Sequence, residues 1–132
     1  MRAKLSVLRA CRRLLKPSGK IAFYTIFITP GVSEADRKRV LALGDPPELA
    51  SAISERELLR SAGFADIEET DETEAYLRTA RGWYEARERY AEDLRKLEGA
   101  QAFAEGQANR RQRIGFIEAG LQRRSLFVAL RP

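Results

Sequence analysis

Between residues 3 and 16, Val7, Leu8, Cys11, Leu14 and Leu15 recur at steps of three and four, while Arg9, Arg12, Arg13 and Lys16 take the remaining positions. Apolar residues at that spacing line one face of a helix, which predicts an amphipathic helix with one buried stripe. The run Lys16, Pro17, Ser18, Gly19 ends it, since proline cannot continue the helical hydrogen-bond ladder and Ser and Gly favour a turn. Ile21 to Ile28 then reads IAFYTIFI, β-branched and aromatic with no polar alternation. A strand apolar on both faces is expected in the middle of a parallel sheet that helices cover on both sides, so this run is predicted as the central strand.

Thr29, Pro30 and Gly31 break the strand, and Ser33 followed by Glu34 and Asp36 reads as an N-cap opening a short helix to about Leu43, stopped by Gly44, Asp45, Pro46 and Pro47. Ser54 and Glu57 form a capping-box pattern, with Leu58, Leu59 and Ala62 as the buried stripe and Gly63 as the stop. Phe64 to about Glu69 is a short second strand, with Phe64 and Ile67 as its apolar residues. From Glu74 to Leu97 the helical period returns, with Tyr76, Ala80, Trp83, Tyr90, Leu94 and Leu97 on one seam, and a second helix anchored by Phe103, Ile114 and Ile117 spans roughly 100–119. Arg123 to Leu130, where Leu126, Val128 and Leu130 alternate with Phe127 and Ala129, is a closing strand. Three strands on about five helices give an α/β fold whose sheet is incomplete, because open sheets commonly have five or six strands.

Composition narrows the chemistry. The chain has 132 residues, 44% apolar and 33% charged, the composition of a globular protein and the length of one domain, two at most, and it contains no histidine and a single cysteine, Cys11. A Ser/His/Asp triad, a Cys/His dyad, a histidine-ligated metal and an internal disulfide are thereby excluded. The nine glycines are never closer than five apart, so no GxG or GxGxxG loop exists, and no GK[ST] completes a P-loop. No stretch is long and apolar enough for a membrane span or a signal peptide, and the lone thiol suits a reducing compartment, so the expected location is cytoplasmic. The net charge of +5 invites a nucleic-acid or acidic-partner reading, carried by Arg110, Arg111 and Arg113 and by Arg123 and Arg124. Few aromatics lie among these arginines, only Phe116 and Phe127, so a stacking platform for single strands has little support.

The string Arg12, Arg13, Leu14, Leu15, Lys16, Pro17, Ser18, Gly19, Lys20, Ile21, Ala22, Phe23 resembles the R-x-L-K-P-G-G-x-hydrophobic passage of class I S-adenosylmethionine-dependent methyltransferases, where it joins the fourth helix to the fifth strand. Leu58, Leu59, Arg60, Ser61, Ala62, Gly63, Phe64 and Ile67 are similar to that family's L-L-x-x-A-G-F-x-x-V passage before the sixth strand. Arg123 to Leu130 is similar to its antiparallel seventh strand. Ser18 stands where the family usually has the first of two glycines.

The resemblance implies a partial Rossmann-like methyltransferase sheet of about three strands. Residues 1–132 are then a single truncated domain, with residues 74–119 inserted as a helical lid. It maps only to the family's C-terminal half. The acidic-glycine loop and the ribose-holding carboxylate that grip S-adenosylmethionine belong to the other half, so the resemblance implies that this chain alone does not bind the cofactor and is inactive. Its acceptor pocket would draw on Tyr24, Thr25 and Thr29 at the end of the fifth strand, beside Phe27, and on Trp83, Tyr84 and Arg87 in the insertion. For Trp83, and more so for Phe27, burial in the core competes with a place in the pocket. No general base is assigned, because methyl transfer is an in-line displacement in which positioning supplies much of the acceleration. The acidic run Glu68, Glu69, Asp71, Glu72 and Glu74 reads as a solvated strand edge and helix start rather than a metal site. Expected partners are a small-molecule substrate, and a second copy or the missing half at the strand edge left bare.

Overall fold

The computed structural model describes residues 2–44 and 53–132. Its elements follow the order α1 (Arg2–Leu14), β1 (Lys20–Ile28), α2 (Glu34–Leu41), α3 (Glu55–Ser61), β2 (Ala65–Asp71), α4 (Thr73–Arg89), α5 (Ala91–Glu98), α6 (Ala100–Glu118) and β3 (Gln122–Leu130). The predicted capping chemistry is in place. Ser33 accepts from the Asp36 amide at the start of α2, and Ser54 and Glu57 form a reciprocal capping box on α3. Gly63 stands at φ +92°, the left-handed conformation that lets the chain leave α3. The predicted stops Asp45, Pro46 and Pro47 lie outside the described residues.

The three strands form one sheet in the order β1-β3-β2. β2 runs antiparallel to β3, with Glu69 opposite Phe127 and Asp71 opposite Ser125. At one end of β1 the Ser18 amide donates to the Arg131 carbonyl at 2.9 Å, and at the other the Thr29 amide donates to Leu121 at 2.9 Å, so β1 is antiparallel to β3 as well. The sheet is therefore not parallel, and β1 is an edge rather than the centre. The closing strand takes the middle. An apolar run reports that both of its faces want cover; it does not report which neighbours the chain provides. In the register between β2 and β3 a bulge falls between Ala65 and Glu68, and Asp66 there adopts φ +48°.

By its internal contacts the chain divides into two compact units. The first comprises Met1–Phe27, Pro46–Glu72 and Arg124–Pro132. Its core joins Leu8 of α1, Leu58, Leu59 and Ala62 of α3, Phe64, and Phe127 and Ala129 of β3, with Leu5, Leu15, Ile21, Phe23 and Ile67 packed around them. Phe23 stacks on Phe127 with ring centroids 5.7 Å apart, the cross-strand pair that fixes β1 against β3. Leu5 and Leu8 of α1 and Leu15 just beyond it reach this core; Val7 and Leu14, expected in the stripe, are exposed.

The second unit comprises Ile28–Asp45 and Thr73–Arg123. It buries Val40 of α2, Tyr76 of α4 and Phe103, Gln107, Phe116 and Ile117 of α6. Phe103 and Ile117 anchor α6 as expected, whereas Ile114 is only partly buried and Phe116 takes its place. The seam expected over residues 74–97 is not continuous. Tyr90, at φ −102° and ψ 24°, divides it into α4 and α5, and Trp83, Tyr90 and Leu97 face solvent.

Candidate functional site

In the first unit a cavity of about 620 Å³ lies between α1 and β1, walled by Val7, Leu8 and Cys11 of the helix and Ile21, Phe23 and Thr25 of the strand. Its walls are largely apolar, with Val7 and Cys11 of α1 outside the core cluster of this unit. A polar cluster stands within it: Lys4 Nζ lies 2.5 Å from Glu55 Oε1, and the Thr25 hydroxyl donates to the same oxygen at 3.5 Å. Tyr24 also borders the cavity, is 59% exposed, and carries the Arg124 guanidinium 4.8 Å from its ring centroid. Tyr24 and Thr25 are among the residues expected at a site, whereas Lys4 and Glu55 are not, since that pair is separated by 51 positions and belongs to no local motif.

The second unit holds the other four expected residues. The Thr29 hydroxyl donates to the Gly120 carbonyl at 2.5 Å and its amide to the Leu121 carbonyl, so its polar atoms tie the end of β1 to the segment between α6 and β3. Trp83 is 64% exposed, which corrects the reading of this residue as core. Tyr84 points the other way: its hydroxyl accepts from Arg111, its ring lies under the same guanidinium, and its carbonyl accepts from Gln107 at 3.2 Å. The hydrogen bond to Tyr84 raises the pKa of Arg111 above its ordinary value.

Arg87 is both ion-paired and stacked on a ring. Its terminal nitrogen lies 2.5 Å from Glu98 Oε2, and its guanidinium stacks on the buried ring of Phe103 at 5.5 Å, with Arg95 on the same ring at 4.9 Å. Its Nε is buried with no hydrogen-bond partner. Thus Tyr84 and Arg87 lie within the α4 to α6 packing, Trp83 outside it. The acidic run from Glu68 to Glu74 is mostly exposed, and Glu69 lies 4.0 Å from Arg56. Among the described residues no group of three or more His, Cys, Asp or Glu is placed to hold a metal, and no helix is long and apolar enough to cross a membrane.

No protein-family model matches the chain, and no curated protein matches it in sequence. Solved structures do match it. A phosphoethanolamine N-methyltransferase 2 from Haemonchus contortus, solved with phosphomonomethylethanolamine and S-adenosylhomocysteine, is 17% identical and superposes with a TM-score of 0.78 over 97% of this chain and 30% of its own. A candidate sarcosine dimethylglycine methyltransferase from Galdieria sulphuraria is 14% identical, with a TM-score of 0.80 over 97% of this chain and 47% of its own. The cyclopropane synthase MmaA2 from Mycobacterium tuberculosis is 14% identical, with a TM-score of 0.75 over 98% and 50%. The chain therefore has the fold of part of an S-adenosylmethionine-dependent methyltransferase, and it spans half or less of the length of these three proteins.

Proposed function

We propose that these residues are the C-terminal, acceptor-side portion of an S-adenosylmethionine-dependent methyltransferase acting on a small molecule, and that alone they neither bind the methyl donor tightly nor catalyse transfer. The observation that carries this reading is the asymmetry of the match: 97% of this chain superposes on 47% of a methyltransferase, with a TM-score of 0.80. The motif order agrees, since the three passages that resemble the family are those of its C-terminal half. Ligands of open α/β sheets bind beyond the carboxyl ends of the strands where the strand order reverses. The glycine-rich turn that cradles a nucleotide there has no counterpart in this sequence, whose glycines are spaced too widely to form one. The residues we assign to acceptor binding are Tyr24 and Thr25 in the first unit and Thr29, Trp83, Tyr84 and Arg87 in the second. In-line methyl transfer asks of such residues that they orient the acceptor and exclude water.

The bare flank of β1 supplies the second part of the reading. Among the described residues β1 has only β3 beside it, so its other flank presents unpaired backbone groups beside an apolar cavity, and exposed Val7 and Leu14 extend apolar surface along α1. A donor-binding half, or failing that a second copy of this chain, would pair there. The single thiol and the charged first helix suit a cytoplasmic protein. Titration calorimetry of S-adenosylmethionine into the 132-residue protein tests the first part: no saturable heat is expected, and low-micromolar binding would overturn it. Light scattering across a concentration series tests the second. Self-association is expected in the absence of another partner, and a monomer at high concentration would count against it.

A further inference from the structure

We propose that the helical unit formed by α4, α5 and α6 carries a binding site for a small oxyanion, a phosphate or a carboxylate, whose donors are Arg87 Nε and the guanidinium of Arg110. Phe103, 2% exposed, forms the floor. Arg87 and Arg95 both stack on its ring, which fixes two cations within one small region. Glu98 answers one of them through the terminal nitrogen of Arg87 and leaves that residue's Nε–H buried and unanswered. Buried donors in native proteins are almost always satisfied, and an arginine donor in a region of surplus positive charge is satisfied best by an anion.

Arg110 completes the arrangement from α6. Its terminal nitrogen lies 2.9 Å from the position that a Cβ on Gly106 would occupy, so the absence of a side chain there makes room for it. Burial, then the neighbouring charge of Arg87, lower the pKa of Arg110, while Glu98 raises it, which places the three groups within one another's field. Several other charges on these helices have partners of their own. Glu88 accepts from Gln107 at 2.9 Å, Glu92 pairs with Lys96, and Arg81 pairs with Glu118. Three guanidiniums and one carboxylate leave the locus two charges positive. A planar fork that stays charged at any accessible pH is suited to oxyanion recognition in a way that an ammonium is not.

This inference rests on the proposed acceptor role of Arg87 only for its biological meaning: if that role holds, the acceptor carries an acidic group. The binding itself needs neither methyl donor nor turnover, so its failure would leave the methyltransferase reading standing, and donor binding by this chain alone would overturn that reading without touching this one. Inorganic phosphate is titrated into the 132-residue protein, with chloride at matched ionic strength as reference, and followed by nuclear magnetic resonance shifts of arginine side chains and by melting temperature. Saturable binding is expected, weakened at least tenfold by Arg110→Gln and by Arg87→Lys, which keeps the charge but removes the fork. Gly106→Ala is the decisive variant. Alanine favours a helix interior, so the melting temperature is expected to rise, while its Cβ drives Arg110 aside and phosphate affinity falls. Binding no stronger than chloride, or unchanged affinity in Arg110→Gln and Gly106→Ala, would overturn the proposal.

Discussion

Replacing Gly63 by alanine tests how the turn between α3 and β2 is held. Two costs are expected, and the structure separates them. At φ +92° an alanine sits in the left-handed region, which costs about 1–2 kcal/mol, reduced by roughly 0.5 kcal/mol because alanine has less freedom to lose on folding. The new Cβ would also stand 2.8 Å from Arg12 Nε and 3.1 Å from its Cδ. That side chain is flexible and would move aside, but in doing so it gives up the hydrogen bond that its Nε donates to the Gly63 carbonyl at 3.0 Å. At an exposed site such a bond contributes toward the low end of about 0.5–1.5 kcal/mol. The sum is about 1.5 kcal/mol, measured by urea unfolding followed by circular dichroism. A double-mutant cycle isolates the second cost: in an Arg12→Ala background, Gly63→Ala is expected to cost less by about 0.5 kcal/mol or more. Gly31→Ala, at φ +85° with nothing within 4 Å of its Cβ, is the control for the backbone cost alone. Equal losses for Gly63→Ala in both backgrounds would refute the role given to Arg12.

Three further outcomes are expected. Ser18 holds φ +66°, a conformation that glycine adopts without strain, so Ser18→Gly is expected to raise stability by roughly 0.5 kcal/mol after the extra unfolded-state freedom of glycine is set against the relief; a lower melting temperature would count against strain there. Leu59 is 0% exposed in the first unit's core, and Leu59→Ala should cost about 3 kcal/mol in urea unfolding, a loss under 1 kcal/mol being inconsistent with that packing. Trp83, the sole tryptophan, is 64% exposed, so its fluorescence should be red-shifted and quenched by acrylamide nearly as well as a free indole, and a protected, blue-shifted emission would contradict its placement.

Where a decision is local, the residues announced it. Ser33, Ser54 with Glu57, and Gly63 end or open their helices through bonds that span only a few positions, and each is found in its predicted role. The three passages resembling methyltransferases located the strands, and Ser18, standing where a glycine is usual, is found in the backbone conformation that makes glycine usual. What failed depends on partners far away in the chain. IAFYTIFI encodes a strand that wants cover on both faces, but its position at an edge follows from β3 pairing with it, a choice made about a hundred residues later. Val7 and Leu14 share the helical period of Leu8 and Leu15, and only the location of α3 decides which of them is covered. The cluster of Arg87, Glu98, Phe103 and Arg110 draws on three helices with no repeating interval, so spacing alone left Arg87 without its companions.

The position of β3 between its two neighbours has a consequence for synthesis. β1 and β2 share no hydrogen bonds with each other and become members of one sheet only through β3, which follows both in the sequence. While the ribosome is still adding α4, α5 and α6, β1 and β2 both lack the neighbour they share, and they are not joined until Gln122–Leu130 emerges between them. Joining β1 to β2 thus waits for β3 and is governed by long-range closure, the slow regime in which unpaired strands are most open to aggregation and to capture by chaperones.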